Sequence, residues 1–120
     1  MNKRTLVIGA SNNPGRYSYK AVSALTEHGH DAVPLGIKKG DIEGIVILNG
    51  TPELKNINTV TLYLNSLAQQ KYYDYIMDLA PQRVIFNPGT ENPAFQTLCE
   101  ENGIQALEAC TLVMLATNQY

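Results

Sequence analysis

The 120 residues suffice for one domain with a single hydrophobic core, without disulfide or metal staples. A formal net charge of -2 gives no polyanion-binding signature, so nucleic acid is not an expected partner, and 44% hydrophobic residues is ordinary for a globular protein. Cys99 and Cys110 are too few for a disulfide framework and suit a reducing compartment. The apolar run after Lys3 and Arg4 covers only Leu6 to Ile8, so neither a secretory leader nor a membrane span is expected, and the cytoplasm is the expected location.

In chain order, a first strand is predicted from Arg4 to Gly9; its consecutive apolar residues suit a central parallel strand covered on both faces. A small-residue turn follows, then a helix from Ser18 to His28 with Tyr19, Val22 and Leu25 at helical spacing and Gly29 as its stop. The second strand runs from Asp31 to Leu35. Between Gly36 and Asn58, four glycines and Pro52 punctuate the chain, and Ile45-Val46-Ile47-Leu48 reads as a short strand or an apolar flap. Thr59 to Tyr63, β-branched and aromatic, is the third strand.

Ser66 opens the next helix, with Gln69 completing a capping-box pattern and Ala68, Tyr72, Tyr75, Ile76 and Leu79 as its inner face; Pro81 ends it. Arg83 to Phe86 is the fourth strand. Asn92 as N-cap and Pro93 at the first helical position then start a helix that turns Ala94, Phe95, Leu98 and Cys99 inward and stops at Gly103. Ile104 to Leu107 is the fifth strand, and a short helix runs from Cys110 to Thr117. This alternation predicts an α/β fold spanning residues 1–120 as one domain: a doubly wound five-stranded parallel sheet in the order 3-2-1-4-5. The ligand crevice of such a sheet lies where the winding reverses, here flanked by the loops Gly9–Tyr17 and Asn87–Glu91.

The first loop has the chemistry of a phosphate site. Gly9 permits the tight turn, Ala10 and Ser11 leave their amides open, the Ser11 hydroxyl can donate, and Arg16 supplies a bidentate charge beside the helix start. It departs from the dinucleotide fingerprint, with Ser11 and Pro14 at the second and third glycine positions. After Leu35 comes Gly36-Ile37-Lys38-Lys39 rather than an acid that would hold free ribose hydroxyls. That pattern favours a ribose carrying an extra phosphate, as in NADP or coenzyme A; a solvated basic turn offset by Asp41 and Glu43 is the alternative.

The run Val7-Ile8-Gly9-Ala10-Ser11-Asn12-Asn13-Pro14 with Tyr17-Ser18-Tyr19, then Gly44 and the apolar run behind it, then Asn87-Pro88-Gly89-Thr90-Glu91-Asn92, resembles the CoA-binding Rossmann-type domain family. Those small proteins are similar to the CoA-binding domain of the succinyl-CoA synthetase alpha subunit. The resemblance reaches Cys110. It implies a Rossmann-like domain with Gly9, Ala10, Ser11, Asn12 and Pro14 cradling a pyrophosphate and Lys38 near the adenosine. Pro88 and Gly89 would close the other side of the crevice. Arg16, Tyr17, Gly36, Lys39 and Asn87 complete the set of candidate contacts. Many members carry Asn-Pro where this chain has Gly36-Ile37, and the family lacks the ligase's histidine-bearing second domain, so the resemblance does not imply ligase activity.

The expectation is therefore a small-molecule nucleotide partner, coenzyme A or an acyl-CoA, held by a binding or sensing module without catalytic residues. NADP, in an oxidoreductase or regulator, is the second choice. A third reading is an interaction protein whose crevice is filled by Tyr17 or Ile37. Cys110 after the fifth strand is either a reactive thiol or a packed one, and Cys99 is expected in the core. His28-Gly29-His30 could pair on a metal but has no acidic or thiol partner nearby, so none is assigned. Glu91, at a helix start, is expected to serve the dipole. Tyr72, Tyr73 and Tyr75 read as core and rim; an exposed Tyr73 would offer a homodimer contact.

Overall fold

In the computed structural model, which describes residues 2–120, the sheet is built outward from β1 (Thr5–Ile8). All four of its residues are buried, because helices cover both faces and strands flank both edges. β2 (Ala32–Leu35) pairs with it in parallel on one side and β5 (Thr59–Leu62) on the other; β6 (Arg83–Phe86) and β7 (Gln105–Glu108) follow, all parallel. Alternation along β1 divides the core. Leu6 and Ile8 join Val60, Leu62, Val84 and Phe86 under Tyr72, Ile76, Phe95 and Cys99. Val7 faces the other way, toward Val22, Leu25, Ile42 and Leu115.

The helices therefore sit on both faces, and the doubly wound Rossmann-like sheet stands. One face carries α1 (Tyr17–Glu27) and α5 (Thr111–Ala116); the other carries α3 (Tyr73–Leu79) and α4 (Pro93–Glu101). The strand from Thr59 is placed differently from the expectation: it lies beside β1 rather than outside β2. The position outside β2 is held by a single rung, with Leu48 N–H donating to Pro34 O at 2.9 Å and Gly36 N–H to Leu48 O at 2.9 Å. With that rung counted as the third strand, the order reads 3-2-1-4-5-6 and the strand from Thr59 is the fourth. The uncertain segment before it contains a hairpin, β3 (Asp41–Ile42) and β4 (Ile45–Val46). Its turn places Glu43 and Gly44 at φ 51° and 88°, the left-handed pair that two-residue hairpins demand.

Two helix expectations change. The helix begun at Ser66 is three pieces: α2 (Ser66–Gln69), a 3₁₀ turn over Gln70–Tyr72, and α3. Its N-cap is Asn65, whose side chain accepts from Ala68 N, and this frees Gln69 from the capping role. Tyr72 and Ile76 are buried as expected, whereas Ala68, Tyr75 and Leu79 are only half-buried. In α4, capped by Asn92 as expected, Phe95 and Cys99 are buried, Leu98 is half-buried and Ala94 is exposed. Tyr73 is not exposed; its ring stacks on Phe95 with centroids 4.2 Å apart.

One contact fixes how β1 and β2 end together. The Leu35 carbonyl accepts from both Gly9 N (2.9 Å) and Ala10 N (3.0 Å), which draws the turn after β1 onto the end of β2. A Cβ on Gly36 would overlap the Ala10 carbonyl oxygen, and one on Gly9 would lie 2.8 Å from Tyr63 O, so neither position has room for a side chain. Gly36→Ala should therefore destabilise the fold by about 2–3 kcal/mol through overpacking, read as a lower urea midpoint. An unchanged midpoint would contradict the close approach.

Candidate functional site

A cavity of about 620 Å³ opens at the carboxyl ends of β1, β2, β5 and β6. Gly9, Ala10, Ser11, Asn12, Arg16 and Tyr17 form one wall; Gly36, Lys38 and Lys39 form the end past β2; Pro88 and Gly89 lie opposite. Eleven of the thirteen residues singled out from the sequence thus meet at one place. The other two do not line it. Pro14 is at the exposed tip of the loop. Asn87 is buried and fully engaged: its amide donates to Thr61 Oγ1 (2.7 Å) and Leu62 O (2.9 Å), and its carbonyl accepts from Thr111 N (2.9 Å). It ties β5, β6 and the start of α5 together.

The turn after β1 distributes its amides unequally. Those of Gly9 and Ala10 are spent on Leu35 O, so Ala10 N–H is not open as expected. Ser11 Oγ accepts from Asn13 N at 3.1 Å, which leaves its O–H as a free donor, and Asn13 Oδ1 accepts from Gly15 N. α1 then begins without a side-chain cap, and Arg16, Tyr17 and Ser18 at its start line the cavity. Its first-turn N–H groups supply the partial positive charge on which an anion can dock. Asn12 lies against Gly40, which brings the loop after β2 up to this turn.

The far wall includes residues not anticipated from the sequence: Tyr63, Leu64 and Asn65 after β5, Ala68, and Lys71 and Tyr72 from the 3₁₀ turn. They follow from β5 lying next to β1. Gln69, wholly buried, organises this wall by donating to Leu64 O (2.9 Å) and Thr90 O (2.8 Å) and accepting from Asn92 Nδ2 (2.9 Å). It links the two loops of that wall to the cap of α4. Glu91 takes a related part: its carboxylate accepts from Gly89 N at 3.0 Å, so it shapes the Pro88–Gly89 turn rather than only serving a helix dipole.

Charge at the cavity is one-sided. Arg16, Lys38, Lys39 and Lys71 line it and no Asp or Glu does, in a chain whose net charge is -2. The one ion pair among the described residues, Arg4–Asp31, lies elsewhere. Burial pushes the Tyr63 hydroxyl up to about 12, so it stays neutral and does not set a phenolate against an incoming anion.

Other candidates fall outside the cavity. Cys110 is half-buried and does not line it. Cys99 is buried in the core, its thiol pushed up to about 11 by burial. His28 Nδ1 pairs with Ala24 O, and His30 Nδ1 accepts from Lys3 N while its ring packs on Tyr120. Among the described residues no cluster of three His, Cys, Asp or Glu is placed to hold a metal, and no helix is long and apolar enough to cross a membrane.

Residues 3–116 match the family described as the CoA binding domain, and the chain belongs to that family. A search of curated proteins gives no match. A crystal structure of an uncharacterised protein is 45% identical, with a TM-score of 0.98 over 100% of this chain and 99% of that one. A hypothetical protein from Pyrococcus horikoshii OT3 (21% identity, TM-score 0.87, 96% and 82% covered) shares the fold. So does a protein from Thermus thermophilus (20%, 0.84, 98% and 91%).

Tyr63 also predicts a pH dependence. The folded chain holds the phenolic proton up to about 12, against 10.0 for the ordinary group, so this stabilisation is complete below pH 10.0 and is lost as pH rises through that interval. The buried Cys99 thiol adds a similar loss between 9.0 and about 11. Urea midpoints should fall across this alkaline range, and Tyr63→Phe should remove the upper part of the fall. An identical slope in the variant would contradict the burial of that hydroxyl.

Proposed function

We propose that this protein binds coenzyme A or an acyl-CoA ester in the 620 Å³ cavity and acts as a binding or sensing module. The observation that carries this reading is the charge of the cavity: four cations and no carboxylate line it, together with the uncapped start of α1. Coenzyme A is a matching ligand, since its pyrophosphate and its ribose phosphate together make a compact polyanion. In this reading the pyrophosphate docks against the Ser11 hydroxyl, the open amides and Arg16. The ribose phosphate lies toward Lys38 and Lys39, and the pantetheine arm leaves past Pro88 and Gly89. Membership of the CoA-binding family supports the assignment. Tyr17 and Ile37, at 68% and 78% exposure, stand out to solvent at the rim instead of filling the cavity.

Because the cations are exposed, binding should weaken with added salt, as screened surface charges do. Thermal-shift titration with coenzyme A, acetyl-CoA, NADP, NAD and ATP tests the reading. The two CoA compounds should raise the melting temperature in proportion to the logarithm of concentration over Kd, and more than the others. Lys38→Glu should cut CoA affinity about tenfold or more, the order of one charge-assisted hydrogen bond, with an unchanged melting temperature for the free protein. No shift with either CoA compound would overturn the proposal.

A further inference from the structure

The large apolar side chains left in water are unevenly placed. Among the described residues they are Tyr17, Ile37, Val46, Leu67 and Val113. Three of these belong to the mouth of the cavity. Tyr17 lines it from the start of α1 and Ile37 from the turn after β2. Leu67, 74% exposed, stands between Asn65 and Ala68, which line the far wall. Its exposure follows from how that wall is built. α2 turns Gln69 inward to bind Leu64 O and Thr90 O, and a residue two positions away on a helix points to the opposite side. Exposed apolar side chains gathered among polar groups mark an interaction surface.

The charge around these three is positive. To Arg16, Lys38, Lys39 and Lys71 of the lining, Lys20 adds a further cation, its Nζ 5.3 Å from the Tyr17 ring centroid. The acids of the neighbouring turns are not in the lining: Asp41 accepts from Gly44 N within the hairpin, and Glu91 accepts from Gly89 N. A second cavity of about 300 Å³ shares Gly36, Ile37, Lys71 and Tyr72 with the first, so the two form one continuous trough, and no carboxylate lines either.

These facts separate the possible occupants. A second copy of this chain would set cations against cations across the same face. A bilayer is flat and meets the rim of a trough, not the walls where the cations stand. An extended acidic segment can enter the trough, set its carboxylates against the cations and cover Tyr17, Ile37 and Leu67 with its own apolar side chains. We infer that the mouth of the cavity docks an extended acidic segment of another protein, with aliphatic and aromatic side chains among its carboxylates. The same cations serve both occupants, so coenzyme A and this segment exclude each other; that exclusion rests on the nucleotide reading of the cavity. Linkage makes the exclusion reciprocal: filling the site with coenzyme A releases the partner, and the partner lowers the apparent affinity for coenzyme A.

The test is fluorescence polarisation of a fluorescein-labelled Glu-rich peptide carrying Leu and Phe, with a second peptide that has Gln at every Glu. The acidic peptide should bind, weaken with added salt, and be displaced by coenzyme A, while the Gln peptide should not bind. Leu67→Ser, outside the cavity lining, should weaken the acidic peptide about fivefold or more, the order of one truncated interface side chain, and leave both the melting temperature and the Kd for coenzyme A unchanged. Val113→Ser should change neither. No binding of the acidic peptide, equal binding of the Gln peptide, or an affinity indifferent to Leu67→Ser would overturn the docking surface. So would co-sedimentation with phosphatidylserine vesicles in place of peptide binding. A peptide that stays bound at saturating coenzyme A would overturn the exclusion. Peptide binding by a chain that takes up no coenzyme A would overturn the nucleotide reading and support the docking surface alone.

Discussion

The site depends on how closely two backbones can approach. Leu35 O takes both the Gly9 and the Ala10 amide, and Gly36 packs so tightly on the Ala10 carbonyl that no side chain fits there. This contact holds the turn after β1 against the end of β2, and so brings the Ser11–Arg16 turn and the basic Lys38–Lys39 turn to one cavity. A further restraint continues outward, since Gly36 O and Lys38 O are both held by the Asn49 amide. Neither side of the β2 turn is left to the ligand to organise. Pre-organisation of this kind lowers the entropic cost of ordering loops on binding.

The opposite wall is built differently, from buried side-chain amides. Gln69, Asn87 and Asn92 each make several hydrogen bonds, and between them they fix the loops after β5 and β6 and the starts of α4 and α5. Buried polar groups are stable only when satisfied, so such a network permits few alternative arrangements. The cavity thus lies between a backbone-tight wall carrying Ser11 and Arg16 and an amide-braced wall carrying Lys71 and Tyr72. All the full charges facing it are positive.

Much of this was legible in the residues. The run from Leu6 to Ile8 suits a doubly covered strand, Asn92-Pro93 suits a helix start, and both are found so; Gly29 and Gly103 mark helix ends at φ 80° and 74°. The loop of small residues, the basic turn after β2 and Pro88-Gly89 were legible for the same reason: local chemistry determines them. Long-range pairing was not. A third strand reduced to one rung at Leu48 has no periodicity to detect, so in the sequence the strand from Thr59 reads as the third, and the loop after it carries no local signal of a cavity wall. Gln69 obeyed a capping pattern that Asn65 pre-empts, and Asn87 sat in a turn-like motif while serving as an internal clamp. Asn49 lay in a glycine-punctuated stretch, and only the fold brings it against Gly36.

The most direct test of the central claim is a map of backbone amide resonances as coenzyme A is added. The perturbed amides should be those of Ser11 to Tyr19, of the turns after β2 and β5, and of Pro88's neighbour Gly89. The opposite end of the sheet, around Lys3, His30 and Tyr120, should remain unmoved. Perturbations centred on that opposite end, or no perturbation at saturating coenzyme A, would contradict it.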